Sequence, residues 1–175
     1  MHFFIMNLNL NYWSPSDGQN LIEYLNTFSK GEKGIEFEEK LFKSNYPCIA
    51  VPSKIIDSIA KEIFKGNYLS FLDLNLNDNA SLILLSGKII SKIKDFNLQK
   101  EYLLKYLTNV DCWATTDVLK FKPTPKTQQN YFELALYLLK SKNTFYRRTA
   151  IIILYALTSF FILLLTSELK LPQKP

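Results

Sequence analysis

The chain carries one histidine, two cysteines and five glycines among 175 residues, and each scarcity closes off a class of function. The single histidine, His2, falls in an expected frayed terminus, which argues against a histidine-based nucleophilic triad and against most zinc chemistry. Cys48 and Cys112 lie far apart without metal-ligand spacing, so neither a metal nor another cofactor is expected. Two free, buried thiols in a reducing cytoplasm is the plain reading. So few glycines, beside 47% hydrophobic residues, exclude a disordered or fibrous chain. Period-two alternation is scarce as well, which argues against sheets. The start, Met1-His-Phe-Phe-Ile-Met6, lacks both a basic stretch and a small-residue cleavage site, so no signal peptide is expected.

What is present is apolar sequence of helical period and a lopsided charge. Residues 1–80 hold 7 Lys/Arg and 10 Asp/Glu, whereas residues 81–175 hold 14 and 6. A basic C-terminal half is the electrostatic footprint of a polyanion binder, although a lysine-rich solvated surface accounts for the charge equally well.

Residues 1–15 read as a loose lead-in, 16–168 as one helical domain and 169–175 as a tail. Ser16-Asp-Gly-Gln19 has capping-box spacing, with Leu21, Ile22, Leu25 and Phe28 following as a stripe. Gly31 and Gly34 are expected to break that helix, and a second runs from Glu36 through Phe42, closed by Pro47. Pro52-Ser53 opens a third, with Ile55, Ile56, Ile59, Ile63 and Phe64 on one face and Gly66-Asn67 as its stop. Asn77-Asp-Asn79 caps a strongly apolar helix that keeps register through Phe96. Further helices are expected near 97–108, 111–121, 127–141 and 143–166. Leu72, Leu107 and Leu139 each end a helix before a polar turn. This repetition predicts an all-α solenoid of antiparallel helical hairpins, in the manner of HEAT and ARM repeats, with a plain bundle as the alternative. In such a solenoid the second helices line one concave face.

Two segments carry candidate chemistry. In Asp111-Cys-Trp-Ala-Thr-Thr-Asp117, Trp113 and Asp117 stand at i and i+4 and share a helical face. In Phe145-Tyr-Arg-Arg148, two guanidinium groups open the next helical unit, where the macrodipole disfavours them, so an anionic partner is the better reason for them. Taken singly, Trp113 reads as core and Asp117 as a solvated charge. Lys120, Lys122 and Lys126 surround the loop punctuated by Pro123 and Pro125. They are candidate phosphate contacts, with ordinary solvation as the alternative.

The chain resembles the HEAT-like DNA alkylation repair enzymes, the AlkD-type alkylpurine DNA glycosylases. Three blocks carry the resemblance: Cys48-Ile-Ala-Val51 with Ile59-Ala-Lys-Glu-Ile63, Asn109 through Asp117, and Ser141-Lys-Asn-Thr-Phe-Tyr-Arg-Arg-Thr-Ala-Ile151. The resemblance implies removal of cationic N-alkylated purines from duplex DNA, with the base left in the stack. It implies that Asp117 lies beside the deoxyribose, that Trp113 packs on sugar and backbone, and that Arg148 holds a phosphate. Arg147 and the three lysines would add DNA contacts. No metal is implied. An alkylated purine is already a cation and leaves without a general acid, so a carboxylate that stabilises an oxocarbenium-like sugar suffices.

The sequence also departs from that family. Pro52 and Asp57 stand where it has arginines, and Lys54 where it has proline. Family members continue into a further repeat whose aromatic joins the lesion cleft, so an incomplete groove is expected here. Thr149–Ser167 is 19 residues without a charge, long enough to span a bilayer. That leaves two other readings, a non-catalytic HEAT-like scaffold binding DNA or protein, and a tail-anchored membrane protein. In the repair reading the protein is cytoplasmic and nucleoid-associated when bound to DNA. Its apolar C-terminal helix then predicts a homodimer.

Overall fold

A computed structural model describes the backbone of residues 6–168 and the side chains of residues 6–162. His2 and the expected tail at 169–175 lie outside the described residues. Within them the chain is all-helical: α1 (Pro15–Asn26), α2 (Gly31–Phe42), α3 (Ser53–Lys65), α4 (Tyr68–Asp73), α5 (Ala80–Ile90), α6 (Phe96–Leu107), α7 (Trp113–Asp117), α8 (Gln128–Leu139) and α9 (Thr144–Glu168). Helices α3, α5, α7 and α9 pack in succession, while α4 lies on α3, α6 on α5 and α8 on α9. This layering is consistent with an α-solenoid. Two of the three leucines chosen as helix ends, Leu107 and Leu139, are the last residues of α6 and α8.

Capping side chains set the starts of α1, α4, α5 and α6. The α1 capping box sits two residues earlier than expected: Ser14 caps the Asp17 amide, and Asp17 accepts from the Ser14 amide at 2.9 Å. Pro15 takes the first helical position, where its missing N–H costs nothing. Asn79 caps α5 through the Leu82 amide at 3.0 Å. The glycines at 31 and 34 do not break a helix. Gly31 opens α2 at φ +70, a conformation that a side chain would strain, and Gly34 lies inside α2.

Two predicted helices are cut short for local reasons. The apolar register through Phe96 suggests one helix, yet α5 stops at Ile90, because Asp95 caps a new helix through the Leu98 amide at 2.8 Å. The segment 111–121 yields only the five residues of α7. Its Thr115 carbonyl accepts from the Tyr106 hydroxyl, and the Leu119 amide turns instead to Thr116. The Thr115 and Thr116 hydroxyls both bond back to the Cys112 carbonyl at 3.0 Å, a competition that weakens a continuing helix.

The lead-in carries no helix before Pro15, but it is not loose over the described residues. Leu8 and Trp13 are buried, and Trp13 meets Phe71 edge-on with ring centroids 5.1 Å apart. The Leu10 carbonyl accepts from the Asn67 amide at 2.8 Å. A Cβ on Gly66 would come within 2.5 Å of that carbonyl, so this glycine stops α3 and also admits the lead-in. Both cysteines are free and buried, as expected. Burial, then the charges of Glu38 and Glu39, push the Cys48 thiol up to about 11.

Candidate functional site

The short helix α7 is held at both ends by other elements. At its start, Asp111 accepts from the Ser44 hydroxyl at 2.8 Å and the Asn45 amide at 2.6 Å, tying the loop after α2 to this point. Trp113 then leans toward α2: its indole N–H donates to the Leu41 carbonyl at 3.1 Å, and its ring meets Phe42 edge-on at 5.9 Å. At 41% exposure it is a surface residue and not core. At the far end, Asp117 turns to α9. Arg148 grips its carboxylate in a fork, Nε to Oδ1 and Nη2 to Oδ2, both at 2.6 Å.

The pair lines an open cleft of about 400 Å³ together with Ile151, Ile152 and Tyr155. Its walls are otherwise apolar, and Tyr155 is 74% exposed. The hydrogen bonds it donates to Asp117 raise the Arg148 guanidinium above its ordinary range, so it stays charged at any working pH. A fork of this kind suits a carboxylate and a phosphate equally.

Asp117 and Arg148 therefore meet directly, whereas Trp113 lies outside the cleft lining and is engaged with α2. Arg147 has a local structural purpose after all. Its Nη1 donates to the carbonyls of Ser141 and Lys142, each at 2.8 Å, and its Nη2 to the Thr144 hydroxyl at 3.3 Å. These carbonyls follow the C-terminus of α8, where a cation is favoured. The macrodipole argument for a ligand at Arg147 thus fails, because the nearer helix end is the one before it.

Lys120 and Lys122 line a second, larger concavity of about 650 Å³, while Lys126 is exposed outside that lining. Lys88, Lys92 and Lys94 join them, none of which sequence reasoning singled out. Their signal was weak, three lysines in seven residues at the end of an apolar helix. The cleft residues on α9 had a clearer one, since Arg148, Ile151, Ile152 and Tyr155 follow the i, i+3, i+4, i+7 spacing of a single helix face. Among the described residues no group of histidine, cysteine and carboxylate side chains is placed to hold a metal.

The family model for DNA alkylation repair enzymes matches residues 23–167, from within α1 through nearly all of α9. No curated protein and no solved structure matches the chain.

Proposed function

Since this chain belongs to the DNA alkylation repair enzyme family, we propose that it releases cationic N-alkylated purines from duplex DNA by hydrolysis, with Asp117 as the catalytic carboxylate. The observation that carries this reading is the Asp117–Arg148 fork in an open, apolar-walled cleft. As the glycosidic bond breaks, its electron pair passes to the purine and cancels the base's charge, so the base departs neutral. The sugar left behind is oxocarbenium-like. A carboxylate beside it stabilises that charge, more strongly once bound DNA covers the open cleft and excludes water. Water adds at the sugar's anomeric carbon and gives up its proton to Asp117 or to solvent.

In the free protein Arg148 neutralises Asp117. A DNA phosphate competes for the same fork, and its arrival frees the carboxylate for the sugar. Tyr155, exposed in the cleft, offers the aromatic face that Trp113 was expected to supply, and an aromatic face attracts a cation. Trp113 then serves to set α7 against α2.

Base release from alkylated duplex DNA, measured by chromatography with DNA in excess, tests the mechanism. Asp117→Asn is expected to lower the single-turnover rate by roughly 10²–10³-fold, the usual cost of losing an electrostatic stabiliser. Full release by that variant would sink the mechanism. Release failing in the parent, alongside steeply salt-dependent duplex binding, would favour the non-catalytic scaffold. The mutual neutralisation of Asp117 and Arg148 supports that second reading.

The membrane reading rests on Thr144–Ile162, which is long and apolar enough to cross a bilayer and only 22% buried. Resistance of the protein to extraction by carbonate is its test. In the repair reading the same exposed surface, with Phe161 and Ile162, is where a second copy would dock, and sedimentation velocity would detect the dimer.

A further inference from the structure

Helix α2 has no core contacts to account for it. None of its side chains is buried, and Phe37 and Leu41 stay exposed on it. A helix of twelve residues gains little from its own hydrogen bonds in water, and burial of an apolar face is what usually holds one. Polar contacts hold this one instead. Just before it, the Ser29 hydroxyl donates to the Ile49 carbonyl at 2.6 Å and the Lys30 amide to the Ala50 carbonyl at 3.2 Å. Its far end is tied to α7. The Ser44 hydroxyl and the Asn45 amide donate to the two Asp111 oxygens, and the Leu41 carbonyl accepts from the Trp113 indole.

Helix α7 needs such a support. It spans five residues, too few to hold itself in water, and its N-cap, Cys112, makes no side-chain hydrogen bond to it. Packing on α5 and α9 covers its buried side, Ala114, Thr115 and Thr116. Apolar packing is non-directional, however, whereas hydrogen bonds fix an angle. Asp111 supplies that angle. Each of its oxygens accepts one bond, and both donors sit on adjacent residues after α2. Among the described residues it has no ion pair, so its carboxylate serves these two donors. Trp113 adds a third tie, and Asp117 stands one turn further along the same helix. A rotation of α7 that moves Trp113 therefore carries Asp117 with it.

We infer that Asp111 is a positioning residue for Asp117: through Ser44 and Asn45, α2 braces α7 at the angle that presents the Asp117 carboxylate to the cleft. The effect on chemistry rests on the Asp117 reading; the bracing of α7 by α2 does not. On this account α2 belongs to the frame of the site and not to the core.

Two measurements on the full chain test this. The first reports on α7 itself. Cys112, buried between Asp111 and Trp113, is the one thiol left in a Cys48→Ala background. Asp111→Ala removes two hydrogen bonds to a charged group, so local opening should expose that thiol more often. Its reaction with an aromatic disulfide reagent at pH 8 should quicken by about tenfold or more. Ser14→Ala in the same background loosens α1 instead and should leave the rate unchanged. An unchanged rate in Asp111→Ala overturns the inference, as does an equal rise in Ser14→Ala.

The second measurement is single-turnover base release at saturating protein. Asp111→Ala should slow it roughly 10–100-fold, the cost of a misplaced group, while duplex affinity stays at the parent value. In the Asp117→Asn background the same change should cost nothing further, because a residue that acts through a carboxylate has no effect once that carboxylate is gone. Parent-like release by Asp111→Ala overturns the inference, as does a further fall in the double variant. Full release by Asp117→Asn alone removes the catalytic reading and the positioning claim with it, and the thiol rate then decides whether α2 braces α7.

Discussion

Asp117 and Arg148 show what a single residue type does and does not reveal. A carboxylate and an arginine 31 positions apart carry no local sign that they meet, yet their fork is the best-formed polar contact in the cleft. On the proposed reading, Arg148→Gln removes one phosphate contact and unmasks Asp117. We expect the salt slope of duplex binding to fall by about one, read in a salt titration. Cys48 and Cys112 give a simpler case. Both thiols are buried, and Cys48 is further held in its neutral form by burial and two nearby glutamates. An aromatic disulfide reagent at pH 8 should therefore find no fast-reacting thiol in the native protein and two after denaturation. Ser14 illustrates a cap. Ser14→Ala should cost about 1 kcal/mol in urea unfolding at pH 7. The Ser14 hydrogen bonds hold Asp17 below its ordinary value of 3.8. Because the folded value is the lower one, that contribution is complete at neutral pH and fades as the pH falls below about 4 through the folded value. The gap between parent and Ser14→Ala should narrow there.

Among the elements, α7 decides the site. Periodicity predicts a longer helix, but the Tyr106 hydroxyl claims the Thr115 carbonyl and the chain turns away after Asp117. That early stop releases Val118 and Lys120 toward the lysine-lined concavity, while the helix still presents Asp117 to α9. The joint beneath it depends on Gly87. A Cβ there would lie 2.6 Å from the Tyr106 hydroxyl and 3.0 Å from a Val118 methyl. Gly87→Ala is expected to destabilise by about 1–3 kcal/mol in chemical denaturation, as overpacking does. Base release should fall as well, because the displaced tyrosine no longer ends α7 at Asp117. Where a capping side chain is present, the element starts at it. The break between α5 and α6 was readable in Asp95, a capping residue directly before Phe96, although the apolar register ran on past it. The short helix α4 carried no such signal beyond Asn67, which caps it through the Ser70 amide.

At the scale of the whole molecule, one cluster of buried residues runs from Leu8 to Leu157 and joins the lead-in to the last helix. Trp13 anchors its N-terminal end with no exposed surface, although its indole N–H finds no partner. Trp13→Ala should cost about 3–5 kcal/mol, while Trp13→Phe should cost far less, since it keeps most of the ring and removes an unsatisfied donor. Thermal unfolding of the two variants checks this, and equal losses would mean that the N–H and not the packing matters. At the other end the balance reverses. Ile151, Tyr155, Phe161 and Ile162 on α9 stay exposed, so the helix that gives the cleft Arg148 also carries an uncovered apolar face.

The sequence by itself determined the all-helical class, most helix positions, the buried cysteines and the family. These follow from local periods, capping residues and short ordered segments, each of which is read within a few turns of chain. The partners of the charged side chains were decided only by tertiary structure. Arg147 turned back to the carbonyls after α8, Arg148 closed on Asp117, and lysines from two stretches came to border one concavity. A guanidinium or ammonium group reaches several ångströms in any direction, so its partner depends on which elements stand within that reach. That is settled by packing between distant helices and not by the residues beside it in the chain.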